Sequence, residues 1–347
     1  MENEIFVVIL AVLFVCHLWW GFKVLPDERW QIMATIPVRK IDSERWDGVN
    51  LTYYGVFSAN AYLVSVAIML VLFGAIKIDI KATFALVFIM MFFCLPMARV
   101  IAMIVEKKAH TRTVGGAVFA GILVAPLAIS IVNKIMGPSV FIPTMPAMAA
   151  LAISYSYGEG MGRLACISFG CCYGKQLSQC APFLQTLFGK RNFIFSGKTK
   201  KIAYESGLDG EHVVPVQAVT SGLYIATGIT CTYLFLNAHY VASFLVSVLV
   251  TQGWRSVSEI FRADHRGEGR ISVYQIMGVV AIIYSFILWK WSTDSNLMAY
   301  VTEGIQTLWQ PEIIIFLLML WLGIFLHTGC SKVTGSIVSF HVHADRI

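Results

Sequence analysis

Apolar residues gather into nine long runs, at about 5–20, 53–72, 82–105, 114–136, 140–157, 214–236, 240–261, 271–289 and 312–327. A helix crossing the hydrocarbon core of a bilayer needs about 20 mostly apolar residues. None of the runs alternates apolar and polar positions as a barrel strand does. Backbone groups without water must also satisfy one another locally. The pattern therefore predicts an all-α polytopic membrane protein with about nine spans. Pro143 and Pro146 interrupt the fifth run and leave its start unplaced. The first run follows an acidic leader, Met1-Glu2-Asn3-Glu4, and no small-residue cleavage site follows Trp19-Trp20, so it reads as a retained helix rather than a secretion signal.

Two polar inserts break the pattern. One, at about 21–50, carries Lys23, Arg29, Arg39, Lys40 and Arg45; the other, at about 163–213, is longer than a helix–helix turn requires. Long connections of this kind commonly carry function, and the second opens on a dense Gly/Cys/Arg motif.

Composition agrees with the pattern. Hydrophobic residues make up 57% and charged residues 13% of the 347 positions, against about 45–50% and about 25% in soluble domains. A mean hydropathy of +0.72 points the same way. These values exclude a soluble globule, a disordered chain and a charge-driven nucleic-acid binder. The net charge of +6 has to be read by position.

Two constellations carry chemistry. The first is Gly162-Arg163-Leu164-Ala165-Cys166-Ile167-Ser168-Phe169-Gly170-Cys171-Cys172-Tyr173-Gly174, close behind the fifth run. Its glycines allow sharp turns and close backbone approach. Arg163 sits at the end of a span, where a guanidinium must face protein, headgroups or a ligand, or simply snorkel to the interface. The second is Gln252-Gly253-Trp254-Arg255-Ser256-Val257-Ser258-Glu259-Ile260-Phe261-Arg262. Arg255, Glu259 and Arg262 fall at i, i+4 and i+7, one helical face, where Glu259 is placed to bridge the two arginines. Paired guanidinium forks suit a phosphate; the plainer reading is an intramembrane charge cluster that orients the helix. Counting crossings puts both constellations, the 21–50 insert and Arg266-Gly267-Glu268-Gly269-Arg270 on one side of the membrane. Arginines 163, 255, 262, 266 and 270 at one headgroup level describe a site for an anionic phospholipid.

At these residues the chain resembles the prolipoprotein diacylglyceryl transferase family. The resemblance rests on Val114-Gly115-Gly116, Gly162-Arg163 through Gly174, Pro215-Val216-Gln217, Arg255 to Arg262, and Ser272-Val273-Tyr274-Gln275. It covers the second span to the eighth and implies a seven-helix core at 51–292. An extra N-terminal helix and polar insert at 1–50 and an extra C-terminal helix and tail at 293–347 would flank it. It also implies a reaction. The diacylglyceryl group of phosphatidylglycerol passes to the lipobox cysteine of a preprolipoprotein, as a thioether, with release of glycerol phosphate. Arg163 and Arg255 would hold the phosphate, Glu259 would orient Arg255, and Arg262 would support them. Gly115, Gly116, Gly162, Cys166, Gly170, Cys171 and Gly174 would line the substrate site. The expected partners are phosphatidylglycerol, a lipobox peptide and membrane lipids, with no nucleic acid, metal or diffusible cofactor.

The chain departs from the family at acid/base positions. Val114 stands where many members carry histidine, Val219 and Thr220 where a Tyr-Glu pair is common, and Thr251 where a tyrosine is expected. His212 and His265 are candidates for a replacement base. The departures keep two other readings open: a phospholipid-dependent transferase with a non-protein acceptor, and a non-catalytic lipid-binding or transport protein.

Four of the eight cysteines, 166, 171, 172 and 180, fall within fifteen residues. C-x4-C-C-x7-C lacks the paired C-x2-C spacing of a structural zinc site. Packing or a disulfide ranks first, catalytic contact by Cys171 or Cys172 second, a metal last. The Lys/Arg excess on the site-bearing face would make it cytoplasmic by the positive-inside rule. The family resemblance implies the outer face of the inner membrane, and is preferred because lipid-binding arginines inflate the count.

Overall fold

The computed structural model describes residues 1–106, 113–137, 140–264, 271–290, 292 and 297–347. His265 and the 266–270 segment lie outside the described residues. Nine helices of 18 residues or more are present among the described residues: α1 (Glu2–Val24), α2 (Tyr53–Ala75), α3 (Ile80–Glu106), α4 (Val114–Met136), α5 (Thr144–Phe169), α8 (Val216–Leu236), α9 (Tyr240–Ser258), α10 (Val273–Lys290) and α12 (Pro311–Gly329). Short helices α6 (Pro182–Phe188), α7 (Lys201–Ser206) and α11 (Val301–Leu308) lie between them. Each expected run has its long helix, and the protein is an all-α polytopic membrane protein in its spanning part.

Seven of the nine are long and apolar enough to cross a membrane by length and composition; α5 and α9 are not among them. Those two carry the arginine motifs. α5 holds Ser154, Ser156, Glu159 and Arg163, and α9 holds Ser243, Ser247, Thr251, Gln252 and Arg255. Such helices are stable because they face protein rather than lipid. α5 packs between α2 and α8, and α9 packs against α5, α8 and α10. By contrast α1 and α12 leave most of their surface outward, with Val8, Val12, Leu13, Ile315, Leu318 and Met319 exposed.

Two boundaries differ from the apolar runs. The fifth helix starts at Thr144, with Pro143 as its cap and Pro146 in its first turn, where a missing N–H costs nothing. It continues to Phe169 rather than stopping at Tyr157, so Gly162 and Arg163 are helical and not in the loop. The seventh ends at Ser258. Glu259–Phe261 form a 3-10 turn and Arg262 is extended, so the i, i+4, i+7 face does not extend to Arg262.

The polar inserts are structured. The first forms strands β1 (Ile32–Lys40) and β2 (Arg45–Thr52), and β2 also pairs with β5 (Cys330–Ser339) behind α12, giving an antiparallel sheet in the order β1-β2-β5. Asn50 is fully buried in it, and its side chain is bonded to Thr35 at 2.8 Å, Ser336 at 2.6 Å and Thr334 at 3.3 Å. The second insert carries α6, α7 and a two-stranded pair, β3 (Phe193–Ile194) with β4 (His212–Val213). It docks on the first through Gln31, which donates to the Thr199 carbonyl at 2.7 Å and accepts from the Thr199 hydroxyl at 2.8 Å. Lys200 is fully buried and donates to the carbonyls of Leu25 at 3.1 Å and Ser168 at 2.8 Å. At the opposite end, Asn3 at the start of α1 donates to the carbonyls of Leu236 at 3.2 Å and Ala299 at 3.1 Å. These cross-links at the two ends agree with the crossing count from the sequence.

Candidate functional site

The first motif is built by the end of α5. Arg163 forms an ion pair with Glu159 one turn earlier, both side chains largely buried. Glu preceding Arg by four residues is the favourable order on a helix, and a buried guanidinium needs such a partner. At the helix end Gly170 adopts φ +73°, and the N–H of Cys171 bonds back to the Cys166 carbonyl at 3.0 Å. A left-handed cap of this kind reverses the chain and suits glycine. Cys172, with φ +58°, turns it again. The thiol sulfurs of Cys166, Cys171 and Cys172 then lie within 4.8 Å of one another. No disulfide joins the eight cysteines.

The second motif is tied to the first by backbone. Gly174 pairs with Arg262 as an antiparallel bridge, the Lys175 N–H bonds to the Phe261 carbonyl at 2.9 Å, and the Ala263 N–H to the Tyr173 carbonyl at 3.1 Å. A Cβ at Gly174 would overlap the Val214 backbone, so this crossing needs glycine. Arg262 makes a bidentate pair with Asp264, at 2.8 and 2.7 Å, with both side chains under 10% exposed. The partner that holds Arg262 is therefore Asp264; the end of α9 at Ser258 turns the chain before Arg262 can share a helical face with Glu259.

Arg255 lies over the Tyr274 ring, its Cζ 5.6 Å from the centroid. A Cβ at Gly115 would run into the Arg255 guanidinium, so this glycine leaves the space that the arginine fills. Gly116 packs against Ile101, and its N–H donates to the capping Thr113 hydroxyl oxygen at 3.2 Å. Gly162 meets only ordinary contact with Ala61.

One cleft gathers these parts. Arg163, Arg255, Glu259, Arg262 and Cys172 line it together with Val216, Gln217, Thr220, Tyr224 and Ser258. Gln217 of the Pro-x-Gln element donates to the Cys171 carbonyl at 2.9 Å. Its side-chain oxygen and the Nε of Arg163 are buried and find no hydrogen-bond partner among the described residues, and such groups are costly unless something else satisfies them. The Cys172 thiol is held well below its ordinary range by hydrogen bonds from Cys166 and Cys171 and by the charges of Arg262 and Arg163, against the opposing effect of burial. His212 is elsewhere: it sits on β4 with Nδ1 2.7 Å from Asn192 Oδ1 and does not line the cleft.

The family model for prolipoprotein diacylglyceryl transferase matches residues 45–291, well over half of the chain. The chain belongs to that family. No curated protein matches it. Three further residues bear on the cleft: Glu159 and Asp264 pair with Arg163 and Arg262, and Tyr224 lines it. Glu159 had a usable signal in its spacing of four from Arg163. Asp264 is bonded through an extended segment that no periodicity describes. Tyr224 comes from α8 and donates to the Thr251 carbonyl at 2.5 Å, so a tyrosine does reach the neighbourhood of Thr251, from another helix.

Proposed function

We propose that the chain transfers the diacylglyceryl group of phosphatidylglycerol to the lipobox cysteine of a preprolipoprotein. The observation that carries this is the meeting of three arginines, 163, 255 and 262, around one cleft that also holds a cysteine and unpartnered polar atoms. Membership of the transferase family supports it. In the proposed step the acceptor sulfur attacks the glyceryl carbon, an S–C bond forms as the C–O bond breaks, and the electron pair leaves on phosphate oxygen as glycerol phosphate. Charge grows on the phosphate in the transition state. Pre-oriented guanidinium groups stabilise it there without reorganising. Arg163, oriented by Glu159, and Arg255, seated in the space left by Gly115, are assigned to that phosphate. Arg262, braced by Asp264, supports them from the loop, and Glu259 closes the cleft beside Arg255.

Residues 51–292 form the transferase core in this reading, with 1–50 and 293–347 as additions. The cleft opens on the exoplasmic face of the inner membrane. Labelling of Cys180 in the 175–212 loop from the outside checks this; labelling only after the inner membrane is permeabilised overturns it.

The reaction is tested by incubating purified protein with phosphatidylglycerol and a lipobox peptide while following peptide mass and released glycerol phosphate. Both products should appear together. Glycerol phosphate without modified peptide favours the second reading, a non-protein acceptor, for which Val114 in place of the family histidine speaks. Neither product leaves a lipid-binding protein.

A further inference from the structure

Phosphate binding by arginines makes no use of three thiols, yet the fold builds them carefully. The sulfurs of Cys166, Cys171 and Cys172 lie within 4.8 Å of one another, and Cys172 lines the cleft that holds the three arginines. The cluster comes from two chain reversals in succession, the glycine cap of α5 at Gly170 and the left-handed backbone at Cys172. A non-glycine residue is strained in that region and survives where its surroundings over-determine it. Here its effect is to turn Cys172 back onto the helix end, while Gln217 pins the Cys171 carbonyl.

We infer that Cys166, Cys171 and Cys172 bind one soft divalent metal ion of the zinc class, leaving a fourth tetrahedral position for the thiol of the acceptor peptide. The fourth-ligand role rests on the transferase reading above; the three-thiol site does not. Zinc bonds thiolate sulfur at about 2.3 Å in tetrahedral sites, which places sulfurs roughly 3.8 Å apart, so no sulfur–sulfur distance has to shorten by more than about 1 Å. Paired C-x2-C spacing is unnecessary because the helix cap, rather than a zinc-ribbon turn, brings the sulfurs together. Three thiolates and a divalent ion carry one net negative charge, and the guanidinium groups of Arg163 and Arg262 line the same cleft as Cys172.

The site also answers the missing base. Val114 replaces the family histidine and His212 lies outside the cleft. A thiol coordinated to zinc is deprotonated outright and needs no neighbouring base. The acceptor thiol gives its proton to water as it binds the ion. Its sulfur then attacks the glyceryl carbon, and the C–O electron pair leaves on the phosphate oxygen held by the arginines.

Cobalt(II) is the probe. Added to the metal-stripped full chain in detergent, it should produce a thiolate-to-cobalt charge-transfer band saturating at one ion per chain, and zinc should remove the band. A lipobox peptide should intensify the band, while the same peptide with its cysteine replaced by serine should not. Cys172→Ser should weaken binding more than about tenfold, and Cys180→Ser should leave it unchanged. The wild-type titration stands whether or not a variant folds. Absence of a saturating thiolate band overturns the site. A band that the peptide leaves unchanged, or full transfer by the stripped enzyme, overturns the fourth-ligand role while keeping the reaction reading. Peptide ligation without lipid transfer supports the site and removes the reaction reading instead.

Discussion

The two arginine motifs reach one cleft by different local structures. Arg163 is embedded in a continuous helix, and its partner Glu159 is found by the helical spacing of four. Arg255 and Arg262 straddle the place where α9 stops, and the same spacing fails there: Arg262 turns away to Asp264. Spacing arithmetic holds only while the helix does. The first motif thus depends on one buried ion pair, and the second on backbone pairing with the loop at 173–175.

The sharpest way to break the comparison is Glu159→Ala. It leaves a buried guanidinium unpaired and should destabilise the protein by about 3–5 kcal/mol, read as a lower melting temperature in detergent; Glu259→Ala should change it far less. If the two losses are equal, the contrast between the motifs is wrong. Next, Arg163→Ala and Arg255→Ala should each lower lipid transfer by about 10²–10³-fold, measured by modified peptide. Full activity in either variant removes that arginine from the phosphate.

A smaller effect concerns the loop that ties the motifs together. Burial pushes the Lys200 amine down to about 8 from its ordinary 10.5. The unfolded chain then binds the extra proton between these values, so the penalty is fully present below pH 8 and is relieved as pH rises toward 10.5. Docking of the loop should strengthen by at most about 3 kcal/mol over that window, followed by amide exchange near Ser168. Lys200→Met should abolish this slope, and a slope that persists would assign it to another group. Smallest of all, His212→Ala should leave transfer within about twofold, since its ring meets Asn192 outside the cleft. A large loss would restore it as a base.

Much of the fold was legible because long apolar runs mean one thing in a membrane. The fourth run, 114–136, coincides with α4 end to end. The fifth was cut short at Tyr157 because its last turns carry Glu159 and Arg163, polar residues that only burial between α2 and α8 makes tolerable. The sheet of β1, β2 and β5 was missed for a similar reason. Its buried positions include Asn50 and Thr52, and its third strand lies nearly 300 residues away in sequence, so neither alternation nor proximity gave it away.

The sequence by itself determined that the chain spans a membrane many times, that its arginines collect on one face, and that their order resembles a diacylglyceryl transferase. These follow from local composition and from counting crossings. Tertiary structure decided which carboxylate holds which arginine, that Gly174 and Arg262 join the motifs, and that three cysteines meet at one helix end. Such facts depend on where helices stop and how loops reverse. Those points are set by caps, close backbone approach and long-range pairing, which no periodicity along the chain records.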